Sequence, residues 1–169
     1  MSRSGYVEDD GDDILALGRW RGRVASALRG KRGQCFLREL AASLDAMTEK
    51  RLIAHELMAD GQFCTLGVLG ANRGIDLAKL DPENYDQVAA AFGIASCMAQ
   101  EIVYENDEAF IDYEWQDIEI CGPLRARDRR DTCVRVPYDD PAAERWAHMR
   151  AWVQKQLDQP TQQSSQGGR

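Results

Sequence analysis

Apolar side chains recur at three- and four-residue intervals through most of this chain, and that period constrains the fold more than any other feature. Such spacing lines one side of an α-helix and cannot line one face of a strand. Ile14, Leu17, Val24 and Leu28 form a first stripe with Trp20 beside it. Phe36, Leu40, Leu44 and Met47 form a second, and Trp146, Met149, Val153 and Leu157 a last. The breaks between helices are written in local chemistry. "GKRG" interrupts the chain at Gly30 and Gly33, and Thr48 is a good N-cap for a helix over "EKRLIAHELMA", stopped at Asp60-Gly61. "GQFCTLGVLGANRG" predicts a tightly packed core helix that Gly74 ends in the left-handed conformation glycine adopts easily. Asp81 as cap with Pro82 at the first helical position predicts another helix, closed by Gly93. Residues 95–106 form the next, and Asp140-Pro141 opens the final one.

The period changes once, after Glu108. "FIDYEWQDIEIC" and "CVRVP" are rich in aromatic and β-branched residues and are joined by the polar "GPLRARDRRDT", which predicts a β-hairpin. The expected fold is mainly α (α+β): one compact helical domain over 13–157, of about seven helices, with a small β-hairpin insertion near 110–137. Residues 1–12 read as a disordered acidic arm and 158–169 as a disordered tail. At 169 residues one domain is expected. No apolar run approaches the roughly 20 residues of a membrane helix. The polar, acidic start "MSRSGYVEDDGDD" lacks a secretory pattern, so a cytoplasmic location is expected.

The stretch "VAAAFGIASCMAQEIVYENDE" at 88–108 is spaced like a helix-turn-helix. Ala89, Gly93, Ile94 and Ile102 fit the turn and seam, with Val88 and Phe92 as core and Ala99 smaller than usual. Its charge is wrong for DNA. From Leu80 to Leu124 there are eleven acidic residues and no lysine or arginine, whereas a recognition helix draws much of its affinity from neutralising phosphates. Aromatic residues are interleaved with the acids, as at protein interfaces. The expected partner is therefore a basic protein, met through Glu101, Tyr104, Glu105, Asp107, Glu108, Asp112, Glu114 and Trp115. The plain alternative is that the acids are solvated faces of helix and strand.

The opposite end is basic: nine lysines and arginines against three acids between Ile14 and Ile53. Arg19, Arg21, Arg23, Arg29, Lys31 and Arg32 support a second reading, a small nucleic-acid-binding regulator. In that reading Gly33 precedes a helix N-terminus able to hold an anion. Catalytic signals are weak. "HELMA" at His55 begins like a zinc-protease motif, but Ala59 stands where the second histidine belongs. No catalytic set, metal site or cofactor is expected. Cys35, Cys64 and Cys97 read as small buried hydrophobes, and Cys121 and Cys133 as thiols flanking one loop.

Several stretches together resemble a family of small proteins encoded by bacteriophages and prophages. They are "RSGY" at 3–6, "WRGRVASALRGKRGQCFLRELAASLDAM" at 20–47, "EKRLIAHEL" at 49–57, "VAAAFGIASCMAQEIVYENDE" at 88–108 and "ERWAHMRAWV" at 144–153. The resemblance implies a phage setting and, by association, a host-interaction or counter-defence role such as anti-CRISPR or anti-restriction inhibition. It carries over no functional residues. Some members lack the segment around "IEICGPLRARDRRDTCVRVP", which implies that the hairpin is an accessory insertion.

Overall fold

The computed structural model describes residues 14–117 and 133–159. The expected acidic arm over 1–12, the side chain of Ile14, Cys121 with the hairpin loop, and the tail beyond 159 lie outside the described residues. Among the described residues six α-helices and two small antiparallel hairpins make a mainly helical fold. The helices are α1 (Ile14–Arg29), α2 (Lys31–Asp45), α3 (Thr65–Asn72), α4 (Tyr85–Phe92), α5 (Ser96–Asp107) and α6 (Pro141–Asp158). Strands β1 (Met58–Ala59) and β2 (Gln62–Phe63) form one hairpin, β3 (Tyr113–Asp117) and β4 (Cys133–Pro137) the other. No helix among the described residues is long and apolar enough to cross a membrane.

The apolar stripes do what their spacing predicts. Phe36, Leu37, Leu40 and Leu44 bury one side of α2, which lies between α6 and α3. Met149, Trp152 and Val153 bury α6 against it. Val24 and Leu28 seat α1 on α5, and α4 packs on the other side of the same helix. Polar side chains lock the crossings. Buried Gln34 donates to the carbonyls of Leu28 (2.9 Å) and Gln156 (3.1 Å), joining α1, α2 and α6. Trp146 Nε1 donates to the Leu44 carbonyl at 3.2 Å.

Five local expectations are corrected. The segment 49–59 is not a helix: it is irregular, bends through 54–57 and ends in a hairpin. Its backbone donors serve distant partners, Leu52 N–H to the Ala142 carbonyl (3.0 Å) and Ile53 N–H to that of Phe63 (3.1 Å). Asp60 and Gly61, at φ +51° and +76°, are the two-residue turn between β1 and β2 rather than a helix stop. Asp81 does not cap a helix. Its carboxylate accepts the Glu83 N–H in a turn, and Asn84 caps α4 by accepting from Gln87 N–H at 3.0 Å. Gly33 does not precede a helix N-terminus, because α2 already begins at Lys31 with Gly30 as its cap. A methyl group at Gly33 would lie 2.0 Å from the Ala27 carbonyl oxygen, so this glycine permits the tight α1–α2 corner. Finally, Cys35 is exposed; of the three cysteines expected inside, Cys64 is buried and Cys97 half-buried.

Two ion pairs tie α2 to its neighbours. Arg150 binds Asp45 with both arms (2.7 and 3.0 Å), and Arg73 binds Glu39 (2.7 and 2.5 Å). Hydrogen bonds from these guanidinium groups hold the Asp45 and Glu39 carboxyls below their ordinary values, against a small opposing effect of burial. Groups with depressed folded values stabilise the fold above the unfolded carboxylate range, and that gain is lost as pH falls through the lowered values. Both carboxylates are about half exposed, so each pair contributes no more than about 1 kcal/mol. Urea unfolding of the parent against Arg150→Gln is expected to show a small gap at neutral pH that closes in strong acid. A gap that widens on acidification would contradict this.

Candidate functional site

The helical hairpin expected at 88–108 is present. Asn84 starts α4, Gly93 at φ +70° ends it, and Ala99 and Ile102 are fully buried in the seam. What α5 turns away from that seam is not a free face. Ser96, Cys97, Gln100, Glu101 and Tyr104 are only half-exposed: Ser96 donates to Asp86 and Gln100 lies near residues 81–86, while α1 lies against Glu101 and Tyr104. Glu101 and Tyr104 share a cleft of about 390 Å³ with Leu17, Arg21, Val24 and Arg29. The basic helix thus covers the acidic one, and the two charge blocks meet inside the domain.

The other acids of α5 are also engaged internally. Glu105 lies 3.3 Å from His148 Nε2 on α6. Glu108, half-buried, is the C-cap residue of α5. The Asp107 side chain is 2% exposed and accepts from the His55 backbone N–H at 3.2 Å and from Asn106 Nδ2 at 2.6 Å. His55 is held at φ +72°, a left-handed conformation that costs a non-glycine residue of order 1–2 kcal/mol. The hydrogen bond to Asp107 helps hold it there. Asn106 connects this corner to the core: its Oδ1 accepts from Thr65 N–H (3.2 Å) and Thr65 Oγ1 (2.7 Å), and its Nδ2 donates to the Ile53 carbonyl (3.0 Å). Nothing in the charge pattern distinguished these structural carboxylates from exposed ones.

The β3–β4 hairpin is different. Its base is clamped to α6 through Phe110, which stacks on Tyr138 (6.3 Å between centroids) and leans on His148 (5.7 Å). The Arg145 guanidinium sits 4.8 Å over the same ring and donates to the carbonyls of Asn106 and Leu52. Burial pushes the Arg145 group down from its ordinary value, opposed by the charges of Asp107 and Asp112; an arginine stays cationic under such a shift. Beyond that base, both faces of the hairpin are largely exposed. Tyr113 and Trp115 meet edge to face at 5.8 Å, and Arg135 lies across both rings at 5.1 and 4.9 Å. The opposite face carries Glu114, Gln116, Val134 and Val136.

Exposed large apolar side chains are concentrated here. Ile111, Trp115 (58% exposed) and Val134 belong to this one segment; Leu15 and Met58 are scattered elsewhere among the described residues. Asp117 shares the face of the aromatic pair, and Asp112 and Glu114 lie on the opposite, also exposed, face. Of the eight residues expected to meet a partner, Asp112, Glu114 and Trp115 are therefore exposed together on the hairpin, while the five on and beside α5 are half-buried or buried. Ile111, Gln116, Asp117, Val134 and Arg135 are exposed on the same hairpin, on one face or the other. Their signal in the sequence was strand-like alternation with no helix left over to cover either face.

On the basic side, Arg19, Arg21, Arg23, Lys31 and Arg32 are exposed, whereas Arg29 is half-buried and donates to Gln159 Oε1 at 3.3–3.4 Å. Arg19 and Arg23 flank Gly22 and Ser26 on a shallow outer groove. Among the described residues no group of three or more His, Cys, Asp or Glu side chains is placed to hold a metal ion. No protein-family model matches the chain, and neither a curated protein nor a solved structure matches it significantly.

Proposed function

We propose that this chain is a binding protein that engages a basic protein partner through the β3–β4 hairpin. The observation that carries this reading is the exposure of Trp115 on a hairpin whose described strands also expose Asp112, Glu114 and Asp117 and whose base is held on α6. A rigid aromatic group at the centre of a contact supplies much of its energy, and surrounding charge steers encounter with a partner of opposite sign. Stacking between Arg135, Tyr113 and Trp115 limits how much side-chain freedom is lost on binding. The resemblance to phage-encoded proteins suggests that the partner is a host protein that handles nucleic acid. Blocking it, in the manner of an anti-restriction or anti-CRISPR inhibitor, is the consequence expected. Such partners expose basic surface made for phosphates, which Asp112, Glu114 and Asp117 complement.

The test begins with a protein captured from bacterial lysate by the full chain, identified, purified and titrated. Trp115→Ala is expected to weaken that complex by about thirtyfold, the loss typical of a central aromatic anchor. Asp112→Asn with Glu114→Gln and Asp117→Asn is expected to slow association and flatten its salt dependence. Unchanged affinity in both folded variants removes the hairpin as the contact surface.

A second reading rests on the exposed Arg19, Arg21, Arg23, Lys31 and Arg32, which suit a phosphate backbone. It predicts a gel shift with duplex or single-stranded nucleic acid that is lost when the arginines are replaced and is indifferent to Trp115→Ala.

A further inference from the structure

The hairpin has two edges, and they are not equivalent. Antiparallel strands alternate between pairs that exchange backbone hydrogen bonds and pairs that do not. Tyr138 N–H donates to the Asp112 carbonyl at 3.1 Å, which sets the phase. Glu114 with Val136 and Gln116 with Val134 are then the bonded pairs. Tyr113, Trp115 and Asp117 turn their N–H and C=O groups outward along β3, and Cys133, Arg135 and Pro137 do so along β4. Pro137 has no N–H to offer, so the outer edge of β4 is blunted at its base, as natural edge strands often are. The outer edge of β3 carries no such block. Among the described residues no other strand lies beside it.

We infer that the outer edge of β3 receives an extended basic segment of the partner as an added strand, with backbone hydrogen bonds to Tyr113, Trp115 and Asp117. This rests on the reading of the hairpin as the contact surface and names how that surface is used. Side chains fix the sequence pattern of the incoming strand. Residues on one face of it lie beside Tyr113 and Trp115 and are apolar; those on the other face lie beside Asp112 and Glu114 and are lysine or arginine. Alternating basic and apolar residues are therefore what this edge selects, because the side-chain period of a strand is two. A second copy of this chain fits poorly, since it would bring another set of Asp112, Glu114 and Asp117 alongside the first. Among the described residues of the two strands the one cation, Arg135, belongs to β4 and is already stacked on the rings.

The probe is a short acetylated and amidated peptide of alternating lysine and valine, titrated into the full-length protein and followed by backbone amide chemical shifts. Two further peptides carry N-methyl groups on either all valines or all lysines. Alternate residues of a strand point their N–H groups to opposite edges, so only one methylated set can face β3. Antiparallel addition makes it the valine set, parallel addition the lysine set. One methylated peptide is expected to bind about thirtyfold or more weakly, from loss of two or three hydrogen bonds, while the other stays within about threefold of the parent peptide. Shifts should centre on Tyr113, Trp115 and Asp117. Equal weakening by both methylations, no weakening by either, or no binding of the parent peptide overturns strand addition. The broader reading is judged separately by Trp115→Ala against the purified partner. If that variant still weakens the partner complex while the methylated peptides behave alike, the hairpin remains the contact surface and only the edge mode falls.

Discussion

Gly67→Ala is expected to destabilise this protein by about 3 kcal/mol, lowering the melting temperature by roughly 10 °C. Gly67 lies in the first turn of α3, where the chain leading into β1 crosses it. A methyl group there would sit 1.8 Å from the Leu57 carbonyl oxygen and 3.2 Å from Phe63 Cβ. The obstructing atom is backbone. It cannot swing aside, because Leu57 O accepts the Cys64 N–H at 3.2 Å and Cys64 Sγ in turn accepts the Gly67 N–H at 3.4 Å. Moving Leu57 would break the link between the small hairpin and α3. Gly70, one turn on, meets the ends of the Leu77 and Phe92 side chains at 2.6 and 3.0 Å, which have more freedom to move, so Gly70→Ala should cost less. Gly22→Ala should do the opposite. Nothing lies within 4 Å of its added methyl group, and alanine in an exposed helix is favoured over glycine by about 1 kcal/mol. Thermal melts of the three variants should rank Gly22→Ala above the parent and Gly67→Ala lowest. A Gly67→Ala protein that melts with the parent would mean that Leu57 does not cross α3 this closely.

Asn106→Leu is the second large effect, again about 3 kcal/mol. The side chain has the same branching and is somewhat larger, so no cavity forms; the main loss is of hydrogen bonds. The amide serves Thr65 N–H, Thr65 Oγ1, the Ile53 carbonyl and the Asp107 carboxylate, in a corner where Asn106 is 2% exposed and Thr65 fully buried. Each buried polar group left without a partner costs about 1–3 kcal/mol. Adding Thr65→Val to Asn106→Leu removes one orphan along with its partner and should recover part of the loss. Urea unfolding of the two single variants and the double variant measures this coupling directly. A single Asn106→Leu within 1 kcal/mol of the parent, with no recovery in the double variant, would show that water or another group takes over. Because Asp107 loses a donor in the same change, the left-handed backbone at His55 should also loosen, seen as faster amide exchange around residues 53–57.

Much of the fold is legible from residues that lie close together in sequence. The stripes in α1, α2 and α6 predict both the helices and their buried sides. Asp140 with Pro141, and Gly93 with its positive φ, mark a start and an end that the structure keeps. These signals work because a cap or a stripe is settled within one or two helical turns. "EKRLIAHELMADGQF" shows where that stops. Ile53 and Leu57 are spaced to suit a helix, and Leu52 and Leu57 are buried, but in a non-helical segment whose donors reach Ala142 and Phe63. A short apolar run supports either conformation, and the Asp-Gly turn signal is the same pair of letters that can end a helix. Likewise, Asp81-Pro82 starts a turn instead of a helix because Asn84 occupies the cap position nearer the apolar residues of α4.

For the candidate surface the division is sharper. The sequence determined that residues 80–124 would be acidic, that 14–53 would be basic, and that strands would follow Glu108. Only the tertiary structure decided that α1 lies along α5, that Glu105 faces His148, and that Asp107 is buried beneath the His55 loop. It also decided that Asp112, Glu114 and Trp115 stay outside. Charge along a chain is fixed by composition, but its exposure depends on which distant elements come to rest beside it. That is set by long-range packing of apolar stripes and buried polar contacts, to which the local charge pattern is nearly blind.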